Sequence, residues 1–71
     1  MTPFDIDLGM KCRNLTNTDN GLGMFETCYV WARLSDTRLI VKSRQDDGYM
    51  TEAAVVDFEY FIDGEWKTLD D

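Results

Sequence analysis

The side chains in this sequence best suited to chemistry are two cysteines, Cys12 and Cys28, and three close carboxylate pairs: Asp5 with Asp7, Asp46 with Asp47, and Asp57 with Glu59. Such pairs can hold a hard cation or divide acid and base roles between them. A calcium loop needs alternating oxygen ligands that end in a bidentate glutamate, and NTDNGLGMFETC keeps only fragments of that pattern. Asn17, Asp19 and Gly21 read instead as a polar turn. The thiols need an activating base to act as nucleophiles. The chain has no histidine, so that role would fall to a carboxylate or a lysine. The cysteines also lack the C-x-x-C spacing of a zinc or redox site. GLGM, Gly21 to Met24, is shorter than either nucleotide fingerprint, and no Gly-x-Ser-x-Gly occurs. The sequence therefore argues against an enzyme and offers no cofactor or metal site.

What remains is a binding surface. In DFEYFIDGEWKTLDD, Asp57 to Asp71, carboxylates are interleaved with large apolar side chains. The formal charge of −7 is unevenly spread: residues 1–44 carry six cationic side chains against five carboxylates, residues 45–71 nine carboxylates against Lys67 alone. Phosphate backbones repel such a chain, so its field argues against direct nucleic-acid binding and for a basic protein partner. The plainer role of the charge is solubility. The expected contact set is Asp57, Glu59, Asp63, Glu65, Asp70 and Asp71, with Phe61 and Trp66 as aromatic anchors. Spaced carboxylates on a rigid hairpin can imitate a nucleic-acid backbone or dock into a channel lined by lysine and arginine, such as that of a nucleic-acid-handling protein. In size and charge the chain is like small phage and mobile-element inhibitors, anti-CRISPR proteins and DNA mimics among them; no residue motif carries such a family.

Two alternatives stand beside that reading. Arg33, Arg38, Lys42 and Arg44 cluster near Tyr29 and Trp31, and aromatics beside cations on a small β-barrel are one means of binding single-stranded nucleic acid. A structural homo-oligomer, such as a homodimer, would instead bring exposed aromatics against copies of themselves.

These residues need strands to position them. At 71 residues the chain forms a single compact domain, 1–71, near the lower size limit for a self-sufficient core. Turn signals at NTDNG (17–21), LSDT (34–37), QDDG (45–48) and Asp63-Gly64 separate MFETCYVWARL, TRLIVKS and AVVDFEYFI, runs rich in β-branched and aromatic residues. The fold expected is all-β, a small antiparallel barrel or sandwich of five or six strands. An α+β alternative places a short helix near 51–60, because TEAAVV has helix formers behind a candidate N-cap at Thr51. The N-terminus lacks a secretory signal and no apolar run is long enough to span a membrane, which predicts a cytoplasmic protein.

Alternation and turn chemistry also predict register. Cys28, Val30, Ala32 and Leu34 share one face of their strand; Phe25, Thr27, Tyr29, Trp31 and Arg33 share the other. A two-residue turn at Asp63-Gly64 sets Phe61 opposite Trp66, Tyr60 opposite Lys67 and Phe58 opposite Leu69. A hairpin turning around Asn20 sets Cys12 opposite Cys28, as reduced core thiols or as a strained cross-strand disulfide.

Overall fold

The computed structural model describes residues 1–16, 21–43 and 49–69. Chain order runs through a 3-10 turn at Pro3–Asp5, β1 (Lys11–Asn14), β2 (Thr27–Arg33), β3 (Arg38–Lys42), β4 (Met50–Ala54), a second 3-10 turn at Val55–Asp57, β5 (Phe58–Ile62) and β6 (Glu65–Lys67). The strands form one antiparallel sheet in the order β4-β3-β2-β1-β5-β6. The fold is all-β, as the punctuation of the sequence requires. It is neither a sandwich nor a closed barrel: β4 and β6 are the two edges of an open sheet. The turn residues 17–20 and 45–48, with the Asp46/Asp47 pair, lie outside the described residues.

The connection from β4 to β5 determines the shape of that sheet. Four inter-strand spacings separate these strands, about 19 Å if the sheet were flat. The chain from Ala54 to Phe58 spans at most about 14 Å even when extended. The sheet therefore has to curl until its β4 side approaches the far side of β1. Hydrogen bonds fix the crossing at both ends: Val55 N–H donates to the Thr37 carbonyl (2.9 Å) and Leu15 N–H to the Asp57 carbonyl (2.9 Å). Between them the Tyr60 hydroxyl donates to the Val55 carbonyl at 2.7 Å, inside the core. This crossing replaces the helix considered near 51–60, and it also cuts the expected continuous strand AVVDFEYFI. Strand propensity in Val55-Val56 yields to the demand for a short bridge. Within that run Val55 is buried and Val56 is 67% exposed.

Curling gives the sheet a concave inner face. Cys12, Cys28, Val30, Leu39, Val41, Ala53, Phe58 and Tyr60 are buried there, joined by Ile6, Leu22 and Val55 from the connections. Each large side chain buried in this way contributes about 1.5–3 kcal/mol. Cys12 lies opposite Cys28 on one side and Tyr60 on the other. The thiols are free; Cys12 donates to the Cys28 sulfur at 3.6 Å, and Cys28 to the Glu26 carbonyl at 3.8 Å. That hydrogen bond and burial push the Cys12 thiol far above its usual range. Asn14, also buried, donates to the carbonyls of Thr16 (2.7 Å) and Gly23 (2.9 Å), and so ties the loop after β1 to the segment before β2.

The alternation read along β2 holds only to Val30. A bulge shifts the register between Val30 and Ala32: Val30 pairs with Val41, but Ala32 pairs with Ile40 and Arg33 with Leu39. Arg33 thus falls on the side of Leu39, and Leu34, expected inside, is exposed. At the other end of the sheet the Asp63-Gly64 turn forms as its sequence requires, with φ of 53° and 80°. Tyr60 faces Lys67 and Phe61 faces Trp66. β6 ends at Lys67, before Phe58 and Leu69 can pair.

Tyr60→Phe leaves the Val55 carbonyl buried without its donor and should cost about 1–3 kcal/mol, read as a lower urea midpoint with an unchanged slope. Burial raises the Tyr60 pKa, so the folded state holds a proton that the unfolded state releases. Stability should be complete at neutral pH and fall as pH rises through about 10, measured by denaturant titration at alkaline pH. The alkaline loss should be smaller in Tyr60→Phe.

Candidate functional site

The outer face of the sheet carries a row of aromatic and cationic side chains that runs across five strands. Register places Met50 beside Lys42, Lys42 beside Tyr29, and Tyr29 beside Lys11. Beyond β1 the same row continues through Phe61 to Trp66. Phe61 and Trp66 meet edge to face, with ring centroids 5.2 Å apart. Cations sit over the rings: Arg13 at 4.3 Å from Trp66, Lys11 at 5.5 Å from Phe61 and Lys42 at 4.4 Å from Trp31. Contacts of this kind are worth about 0.5–1 kcal/mol where exposed.

This arrangement divides the carboxylates expected to form one acidic row. Glu59 shares the outer face with Phe61 and Trp66 but is engaged by Arg13, its cross-strand partner. Glu65 pairs with Ile62, and so belongs to the inner side of the edge strand, where it is exposed. Asp63 is exposed in the turn. Asp57 lies in the 3-10 crossing rather than on a strand, so it does not continue the line from Glu59. The alternation that sends Glu59 outward sends Glu65 to the other side. Phe61 (40% exposed) and Trp66 both lie outside the buried core. Asp70 and Asp71 lie outside the described residues.

The basic set is divided as well. Arg38 meets Glu52 at 3.0 Å, and Arg33, turned inward by the bulge, lies 3.6 Å from Asp36 and 5.8 Å from the Phe4 ring. Arg44 lies outside the described residues. Tyr29, Trp31 and Lys42 do come together. With Leu8, Gly9 and Val30 they line a groove of about 560 Å³. Two backbone bonds hold the Leu8-Gly9 turn against β2: Gly9 N–H to the Val30 carbonyl (2.7 Å) and Val30 N–H to the Met10 carbonyl (2.9 Å). The bulge takes Trp31 out of the ladder and leaves it 53% exposed at the groove. Bulges often re-aim a side chain beside a functional site.

Lys11, Arg13, Leu8 and Gly9 were not legible as site residues. For the first two a signal did exist, since the register that opposes Cys12 to Cys28 also sets Lys11 opposite Tyr29. Among the described residues, no group of three or more histidine, cysteine, aspartate or glutamate side chains is placed to hold a metal ion. No protein-family model, curated protein or solved structure matches this chain.

Arg13→Met keeps an apolar stem but removes the charge that Glu59 and Trp66 share. It should lower stability by about 1 kcal/mol and shift Trp66 fluorescence, measured in a Trp31→Phe background.

Proposed function

We propose that this domain is a non-enzymatic protein-binding module that docks its β5–β6 hairpin onto a basic surface of a partner, of the kind that nucleic-acid-handling proteins present. The observation that carries this reading is the Phe61–Trp66 pair, held outside the core at one edge of the sheet by a hairpin whose tip bears the exposed carboxylates Asp63 and Glu65. Aromatic anchors ringed by charge are a common basis of interface energy. The net charge of −7 favours encounter with a cationic partner. With Glu59 neutralised by Arg13 and Asp57 drawn into the crossing, the electrostatic contribution falls mainly to the turn. The nucleic-acid-mimic form of the reading is weaker for the same reason: its carboxylates do not stand in one spaced row.

Asp63→Asn combined with Glu65→Lys removes the negative charge of the exposed turn while keeping a residue that tolerates positive φ at position 63, and should leave the unfolding free energy within about 0.5 kcal/mol of wild type. In affinity capture from source-cell lysate at low and moderate salt, wild type should retain a basic partner that this variant and Trp66→Ala both lose. Retention of the same partner by all three proteins would sink the hairpin as the contact element.

A further inference from the structure

We propose that Cys12 and Cys28 form a disulfide pair whose redox state is set when the chain folds and is then sealed inside the core. The pair lies on the inner face of the sheet, and its chemistry is independent of hairpin docking. β1 and β2 set the two residues directly opposite each other, with their sulfurs 3.6 Å apart. Two backbone bonds flank them at two-residue steps, from Val30 N–H to the Met10 carbonyl (2.9 Å) and from Asn14 N–H to the Glu26 carbonyl (3.0 Å). The cysteines therefore occupy a hydrogen-bonded position of the antiparallel ladder, where Cα atoms stand about 5.5 Å apart. Disulfides have their commonest Cα separation at about 5.5–6 Å. Closing the bond brings the sulfurs to about 2.0 Å, which asks for side-chain rotation rather than a change in strand pairing.

The polar groups around the pair permit either state. As thiols, Cys12 donates to the Cys28 sulfur and Cys28 to the Glu26 carbonyl at 3.8 Å. A disulfide removes both donors, yet the Glu26 carbonyl keeps the Asn14 N–H and is not left unsatisfied. Both cysteines are fully buried, and the bond to Cys28 together with burial holds the Cys12 proton in place. Exchange needs a thiolate, so the reaction belongs to the open or folding chain. With a small-molecule disulfide such as oxidised glutathione, one cysteine thiolate attacks and displaces one glutathione thiolate, leaving a mixed disulfide. The second cysteine thiolate attacks the protein sulfur of that bond and displaces the other glutathione. Two electrons pass from the cysteines to the glutathione disulfide, and the two cysteine protons end on the two glutathione thiols. Folding then buries the new bond. It also ties together the ends of the connection from β1 to β2, and closing a loop of about 15 residues favours folding by roughly a hundredfold. A chain folded in an oxidising compartment carries the bond, one folded in a reducing compartment carries the thiols, and each keeps its state while folded.

The test is equilibration of the intact protein in buffers of reduced and oxidised glutathione, both folded and in urea, with acid-quenched mass spectrometry to read the thiol state. The folded chain, approached from the oxidised and the reduced side, should form the intramolecular bond at a glutathione disulfide level at least about tenfold lower than the urea-unfolded chain needs. Linkage requires the same factor in the folding equilibrium, so urea unfolding of the oxidised and the reduced protein measures it independently. A smaller factor overturns the proposal, as does a glutathione adduct or an intermolecular dimer as the main oxidised product. Native oxidised protein should resist reduced glutathione and lose its bond only as sub-denaturing urea opens the chain; reduction equally fast with and without urea overturns the sealing. Cys12→Ala combined with Cys28→Ala should give a urea midpoint that ignores the glutathione buffer, and a midpoint that still follows the buffer overturns the assignment to this pair. The wild-type measurements decide the question even where the double variant fails to fold.

Discussion

The three-residue crossing from β4 to β5 is the constraint on which the rest of the structure depends. A bridge that short cannot cross the four inter-strand spacings of a flat sheet, so it curls the sheet, and the curl creates the inside and outside that a single layer would otherwise lack. Tyr60 secures the bend by donating to the carbonyl of Val55 within the crossing itself. Few domains of this size have apolar area to spare; here one hydrogen-bonded tyrosine, Phe58, two opposed thiols and a handful of aliphatic side chains close the concave face. The outer face is then left to be filled by other chemistry.

That chemistry changes the meaning of the charge asymmetry. Along the chain, acidity belongs to the C-terminal third. In the sheet, antiparallel pairing sets residues of the mildly basic N-terminal part beside those of the acidic part, and Arg13–Glu59 and Arg38–Glu52 are the result. The outer face has aromatic rings under cations, and free carboxylates collect at turns and edges such as Asp63 and Glu65. A surface of mixed sign with aromatic anchors suits a contact that is guided by charge but held by rings.

Where local chemistry decides, the fold was legible. Asp63-Gly64 fixed its own hairpin and the Phe61–Trp66 contact, and the opposition of Cys12 to Cys28 followed from counting around one turn. Three features were hidden because they answer to long-range geometry. The 3-10 crossing overrides the strand propensity of Val55-Val56. The bulge reverses inside and outside after Val30, so Leu34 and Arg33 exchange the environments that strict alternation assigns them. The pairing of β5 with β1 joins segments more than forty residues apart, and with it come Glu59 beside Arg13 and Phe61 beside Lys11. The candidate site was accordingly read as two separate patches, one acidic and one basic, where the structure builds one face from parts of both.

The bulge has a further consequence for how this surface can change. Every other side chain of the outer row has a cross-strand neighbour, so replacing one disturbs another. Trp31 stands outside the ladder between Val30 and Ala32, and it meets the next strand through the Lys42 ammonium over its ring rather than through a paired backbone. Position 31 can therefore exchange one large side chain for another without renegotiating the sheet, which makes it the place where such a domain can acquire a new preference while keeping its old fold.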